Sequence, residues 1–315
     1  GLDPVKLRFL TKQIDSFRRH GAELDAPSKQ RLMELDVELQ KLTTKFSQNV
    51  LDATNAFELL IDDESKLAGL PESARLAARA SAESKGKSGY RFTLQGPSVT
   101  NVLTYLEDRE IRRQIWEAYN QRGAAAPYDN RELLRRILEL RREKAKLLGF
   151  FNFADFVLAD RMAARGAIAR EFLAQLEKAT RERFVEEHQQ LEAFREQLEG
   201  TREALAPWDI GYYAEKQRQA LFAFDEEELR PYFSVDRVVE GMFQLCERLF
   251  GIEVREIAGA KTYDPAVKYF EIWSDARLMG AFYADWFPRE SKRGGAWMEG
   301  LRTGGPAPDG GFEPH

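Results

Sequence analysis

The chain has 315 residues, 43% apolar and 31% charged, so it is long and apolar enough to bury one large core or two smaller ones. Its formal net charge of -5, from 47 basic and 52 acidic residues, gives no general electrostatic reason to bind nucleic acid or an anionic membrane. No apolar run reaches the length of a membrane span, and the single cysteine, Cys246, excludes an intramolecular disulfide and fits a reducing, cytoplasmic compartment.

The start, Gly1-Leu2-Asp3-Pro4, lacks both the basic-then-apolar order of a signal peptide and an initiator Met, so the expectation is a start inside a longer polypeptide or after a tag. Residues 5–20 read as a helix: Arg18, Arg19 and His20 bring positive charge to its negative pole, and Gly21 stops it. Asp25 followed by Pro27 signals the next start. Leu32, Leu35, Leu39, Leu42, Phe46 and Val50 then recur at steps of three and four. That single apolar stripe predicts packing against another helix, with a partner-binding face as the alternative. Ala56–Ile61 breaks the helical period and predicts a short extended segment. Residues 66–84 read as helical, with Gly69-Leu70-Pro71 as a turn at their start. The loop Ser84-Lys85-Gly86-Lys87-Ser88-Gly89 lacks the spacing of a phosphate loop and follows no buried strand, so nucleotide binding is not expected there. Tyr90–Gln95 alternates as a strand does and is closed by Gly96-Pro97.

From 97 to 200 the pattern is helical, with apolar faces begun by Val102, Leu103 and Leu106, by Ile111, Ile115 and Tyr119, and by Leu133, Leu134, Ile137, Leu140, Ala145 and Leu148. Phe150, Phe151, Phe153 and Phe156 crowd a short stretch and predict a core anchor, with a ligand-facing aromatic wall as the alternative. Residues 167–199 read as one long charged helix stopped by Gly200. Pro207 and Trp208 open a second region, with helices over 212–222 and 235–250; the latter carries Val238, Val239, Met242, Leu245 and Leu249 on one face. The period then changes to two: Lys268–Ser274 and Leu278–Trp286 predict a β-hairpin around Asp275-Ala276-Arg277. Residues 304–311 have a Gly/Pro loop composition. The predicted fold class is mainly α with a few short strands, in two regions, 1–205 and 206–315. The absence of a fixed-length repeat argues against a solenoid.

Histidine limits the chemistry. His20, His188 and His315 are far apart, and no His-Glu-x-x-His pattern exists for zinc. His188 with Glu192 four residues on reads as a solvated helix face. Cys246, beside Leu245 on an apolar-faced helix, reads as an inert core thiol. No Gly-x-Ser-x-Gly elbow or dinucleotide fingerprint is present, and the acidic run Asp225-Glu226-Glu227-Glu228 reads as a cap or a solvated helix start. Residue chemistry alone nominates neither a catalytic residue nor a metal ligand.

Several segments carry a family likeness. Lys144-Ala145-Lys146-Leu147-Leu148-Gly149-Phe150 with Asn152-Phe153-Ala154, Arg161-Met162-Ala163, Pro207-Trp208-Asp209 with Tyr212-Tyr213, and Leu249-Phe250-Gly251-Ile252 form an ordered series. Phe282-Tyr283-Ala284-Asp285, Pro288-Arg289-Glu290-Ser291-Lys292-Arg293 and Gly295-Ala296-Trp297-Met298 continue it, and Lys45–Thr54 extends it upstream. In this order they resemble the thimet oligopeptidase / oligopeptidase A family of zinc metallopeptidases, on its bacterial oligopeptidase A branch, over nearly the whole chain.

The resemblance implies a mostly helical two-lobed fold around a deep channel, short peptides as substrates, and zinc as cofactor of the full-length parent. It also implies that the zinc helix, a further Glu ligand and the transition-state-stabilising residues follow the stretch that ends this chain. No catalytic or metal residue is therefore carried over, no zinc is expected on this chain, and it is expected to be inactive alone as scaffold and channel wall. By the same resemblance, Leu278–Asp285 is the candidate edge for pairing with an extended peptide, with Gly280, Phe282, Tyr283 and Asp285 as substrate-binding candidates. The alternative for the hairpin is a plain core sheet with Phe282 and Trp286 inward. The alternative for the chain is a non-catalytic helical scaffold or peptide-binding protein. Surface left bare by a missing half predicts exposed apolar patches and self-association.

Overall fold

Local signals set most helix ends. The computed structural model describes residues 1–224, 226–307 and 311–315, and the chain divides into two units: Gly1–Leu94 with Ser98–Gln217, and Gln95–Pro97 with Arg218–His315. In the first unit, α1 (Pro4–Arg19) starts where the Asp3 carboxylate accepts hydrogen bonds from the Val5 and Lys6 amides, each at 3.0 Å. The next helix, α2 (Ala26–Ala56), is capped in the same way by Asp25, which accepts from Ser28 N at 2.9 Å. β1 (Leu59–Ile61) pairs antiparallel with β2 (Tyr90–Phe92), and α3 (Glu72–Glu83) lies between them in sequence. With α4 (Gly96–Tyr105) and α5 (Arg109–Asn120) they enclose a core around Leu67, Phe92, Leu94, Val102, Leu106 and Ile115.

Two boundaries in this stretch differ from the sequence expectation. The helix expected from residue 66 begins at Glu72, because a short 3₁₀ turn over Glu64–Leu67 and the segment 68–71 intervene. Gly69 sits there at φ +84, where an added Cβ would lie 2.3 Å from the Tyr105 carbonyl oxygen, so only glycine fits. The strand expected to reach Gln95 stops at Phe92, and the Thr93 amide donates to Ser98 Oγ at 3.0 Å instead of to a strand partner.

The stripe on α2 packs against α6 (Arg131–Leu147), as its spacing predicted. Leu32 and Leu35 are buried, and Asn49 Nδ2 donates to Asn130 Oδ1 at 2.8 Å inside the interface. Pairs of Arg136 with Glu38, Arg31 with Glu143 and Lys144 with Asp36 line its outside. In α7 (Phe153–Leu158), Phe153 and Phe156 pack with Phe150, whereas Phe151 is 89% exposed, so the aromatic cluster anchors with three rings rather than four. The long α8 (Gly166–Glu199) ends at Gly200 in the left-handed conformation, and α9 (Pro207–Phe222) starts five residues before the sequence expectation. Large apolar side chains remain exposed on α1 (Phe9, Phe17) and α8 (Phe172, Leu173, Phe184).

The second unit is a helix on a sheet. A 3₁₀ segment (Glu226–Tyr232) precedes α10 (Val235–Phe250), which ends at left-handed Gly251. β3 (Glu253–Glu256), β4 (Lys268–Ser274) and β5 (Arg277–Ala284) form an antiparallel sheet in the order β3-β4-β5. β3 has no strand signature in the sequence: Glu-Val-Arg-Glu gains its place from pairing with β4. Phe243 of α10 meets buried Phe270 edge-to-face at 5.2 Å. The opposite stripe, Val238, Met242, Leu245 and Leu249, stays exposed, and Cys246 is half-buried rather than core. A small β6 (Gly305–Pro306) and β7 (Phe312–Glu313) pair antiparallel near the end. Asp225 of the acidic run and residues 308–310 of the Gly/Pro stretch lie outside the described residues. No helix among the described residues is long and apolar enough to cross a membrane. The chain is mainly α with short antiparallel sheets.

Candidate functional site

Every substrate candidate named from the sequence lies on or beside β5, so the site is built from that strand. Asp275 and Ala276, at φ +47 and +62, form the two-residue turn between β4 and β5 with the left-handed geometry such hairpins favour. Arg277, expected in the turn, is the first residue of β5 and pairs with Ser274. The register runs Phe270 to Phe282 and Ile272 to Gly280, then shifts so that Trp273 faces Leu278. Met279 is thus the extra residue of a bulge, which leaves its backbone out of step with β4.

The bulge faces the outer edge of β5, and that edge holds a chain. The Ala281 amide donates to the His315 carbonyl at 3.0 Å, and the His315 amide donates to the Met279 carbonyl at 3.1 Å. Those two bonds flank Gly280 in the pattern of a parallel pair. A Cβ on Gly280 would lie 3.1 Å from the His315 Cβ, so glycine permits this approach. His315 is delivered by the β6–β7 ribbon, whose Phe312 ring lies under the Arg277 guanidinium at 4.4 Å and whose Glu313 pairs with Arg302 at 2.5 Å.

The faces of β5 differ. Phe282 is half-buried and stacks on Phe270 at 5.2 Å, with Ala284 buried beside it. Tyr283 is exposed on the other face, 5.0 Å from the Tyr269 ring and 6.1 Å from Tyr263. Trp286, placed inward in the core-sheet alternative, is 42% exposed.

Asp285 is fully engaged. It accepts from Arg289 Nη1 at 2.8 Å and from Tyr263 Oη at 3.2 Å, and its carboxylate lies 3.2 Å from Lys292 Nζ. Lys292 also donates to the Asp285 carbonyl, and Arg289 reaches Asp264 at 3.2 Å. The Arg289 hydrogen bond, with help from Lys292, holds the Asp285 carboxyl down at about 2. Asp285 therefore clasps the segment after β5 to the hairpin. The clasp was legible only in part: Asp285 and Arg289 are four apart, but nothing local announces Tyr263 or Asp264.

The first unit holds a second charged centre, which is structural. Asp209 is completely buried; Arg109 grips it through Nε at 3.0 Å and Nη2 at 2.8 Å, and Arg112 through Nη2 at 3.1 Å. Arg112, also buried, spends its other donors on the Leu106, Glu107 and Trp208 carbonyls. Burial would raise the Asp209 carboxyl, but the hydrogen bonds from Arg109, Arg112 and the Ala206 amide outweigh it and leave it lowered. The Asp209 carboxylate and the Arg112 guanidinium thus satisfy each other and nearby backbone, as a structural pair does.

The residues present do not fit the zinc site that the resemblance implies. His20 Nδ1 lies 2.7 Å from its own helix's Ser16 carbonyl, His188 Nε2 lies 3.5 Å from Glu192 on an exposed face of α8, and His315 lies on β5. Among the described residues, no three His, Cys, Asp or Glu side chains converge to hold an ion.

Comparison with known proteins gives a consistent result. Residues 102–313 match the family model described as Peptidase family M3. Oligopeptidase A of Haemophilus influenzae is 43% identical over 298 residues, 93% of this chain and 44% of that protein. Oligopeptidase A of Escherichia coli is 39% identical over 95% of this chain and 45% of its own length. Dipeptidyl carboxypeptidase of Salmonella typhimurium is 35% identical over 95% and 44%. The chain spans less than half the length of these relatives. With a family match over two thirds of the chain, this chain belongs to peptidase family M3.

Proposed function

We propose that this chain is part of a cytoplasmic zinc-dependent oligopeptidase that hydrolyses short peptides, and that it contributes scaffold and substrate-channel wall rather than the groups that break the bond. Family membership and the names of the relatives support peptide hydrolysis by the whole protein. In this reading the metal is held by polypeptide outside the 315 residues, and this chain alone is inactive.

One observation carries the chain's own part. The outer edge of β5 offers a carbonyl at Met279 and an amide at Ala281, spaced to hold an extended backbone, as they hold His315. A peptide substrate would use the same two groups, so His315 must leave before it binds. Gly280 leaves room for the incoming chain, Phe282 supports the strand from beneath, Tyr283 offers an exposed ring, and Asp285 acts as a positioning residue by fixing the segment beyond.

The test is cleavage of an internally quenched peptide. The 315-residue chain should give no turnover above buffer, whereas a polypeptide of the relatives' full length should cleave it and lose activity to a chelator. Chelator-sensitive turnover by the shorter chain would overturn the scaffold assignment. Inertness of the longer one would leave a peptide-binding or scaffold protein. Apolar side chains exposed on α1, α8 and α10 support self-association of this chain, which sedimentation velocity at rising concentration would reveal as a growing mass.

A further inference from the structure

Away from the β5 edge, the second unit holds a groove of about 560 Å³ between α10 and the sheet. Its floor is apolar: Val239, Phe243, Val254 and Phe270 lie along it, and Trp286 and Phe287 stand exposed at its mouth. Its rim is acidic. Asp236, Glu240 and Glu247 line it from α10, Glu253 and Glu256 from β3, and Lys268 is the single cation among the described lining residues.

The carboxylates are not equivalent. Glu253 is paired with Arg255 at 2.5 Å, and Glu256 with Lys268 at 3.1 Å. The three on α10 have no ion pair among the described residues; Glu240 only accepts a hydrogen bond from the neutral Gln244 amide at 3.3 Å. At four and seven residues apart they fall on one stripe of the helix, the stripe that faces the groove. Asp236 and Glu240, four residues apart, repel each other, and no ion pair among the described residues offsets that. At a rise of about 1.5 Å per residue the row spans roughly 16 Å, close to five residues of extended chain.

We propose that this groove binds a short extended peptide in which basic and apolar residues alternate. The alternation of a strand puts successive side chains on opposite sides. Lys or Arg at every second position would face the α10 carboxylates, and the intervening Leu or Phe would cover Trp286, Phe287 and the apolar floor. A neutral apolar peptide would leave the carboxylates unrelieved, and an acidic one would add to the repulsion. The inference goes beyond the proposed hydrolysis: it concerns a separate surface and needs no cleavage.

The experiment is fluorescence anisotropy of the 315-residue chain with labelled Lys-Leu-Lys-Phe-Lys-Leu and its Glu-for-Lys counterpart. The basic peptide should bind about tenfold or more tightly at low salt, with the advantage shrinking as salt screens the rim. The triple variant Asp236→Asn, Glu240→Gln, Glu247→Gln changes only exposed side chains, and it should remove that advantage while the far-ultraviolet circular dichroism stays unchanged. Trp286→Ala should weaken both peptides. Equal binding of the two peptides, or an advantage that survives the triple variant, overturns the proposal. So does failure of the basic peptide to bind a polypeptide of the relatives' length, which would give the groove to another segment of the same protein. Cleavage results bear only on the proposed function, so the two readings fail separately.

Discussion

The two units handle charge and apolar surface in opposite ways. The first buries a carboxylate completely and surrounds it with two arginines and a backbone amide, and it also holds a large apolar cluster built from β1, β2 and α3–α5. The second keeps its charges outside and its helix half-covered: α10 has no buried residue, and its carboxylates face an open groove. The buried centre of the first unit is closed on itself, although α1 and α8 still expose apolar side chains, whereas the charged groove of the second is open. Substitutions in each should therefore behave differently.

The largest effect is expected from Asp209→Asn, which strands the buried Arg112 guanidinium and should cost about 3–5 kcal/mol, read as an earlier urea midpoint for the first unit. A loss under about 1 kcal/mol would mean that water reaches the pair and that the contrast between units is overstated. Phe270→Ala, at the centre of the sheet–helix contact, should cost about 3 kcal/mol, the lower end for such truncations because Phe243 and Phe282 can partly close over the gap. Acid should probe both units. Asp209 and Asp285 are held below the ordinary carboxyl value of 3.8, Asp285 at about 2. A depressed folded value means that the stability they lend is complete above the unfolded value and is lost as pH falls through the folded one. Unfolding followed by tyrosine and tryptophan fluorescence should therefore steepen below pH 4, and Asp285→Asn should flatten that limb. The smallest effect is expected from Ala276→Gly, which relieves a left-handed alanine in the hairpin turn and should stabilise by about 0.5–1 kcal/mol in thermal melts. A loss of stability there would show that the turn is held by more than its backbone angles.

Much of the fold was legible because it is written in local periods. The α2 stripe from Leu32 to Val50 names its own buried face, and the switch to period two after residue 268 names the hairpin. What stayed hidden depends on distant partners. β3 is strand only because β4 lies beside it, and Gly69 is explained only by the Tyr105 carbonyl. The candidate site was half-legible in the same sense. Gly280 and Asp285 could be named from the family likeness, but the chain seated on Gly280 comes from thirty-five residues further on, and the Tyr263 and Asp264 partners precede the hairpin. The exposed face of α10 shows the converse: amphipathic spacing says that a helix has an apolar side, not that the same chain covers it.

The bonds at Gly280 have a topological consequence. A strand that runs in the same direction as its predecessor cannot be reached by a tight turn; the polypeptide must return to the starting end first, which takes a dozen residues or more. The segment after β5 makes that return, its described part secured at one end by Asp285 and at the other by the Arg277–Phe312 and Arg302–Glu313 contacts. Deletions that leave fewer than about twelve residues between Ala284 and His315 should therefore release the final residue from β5, however well the hairpin itself survives.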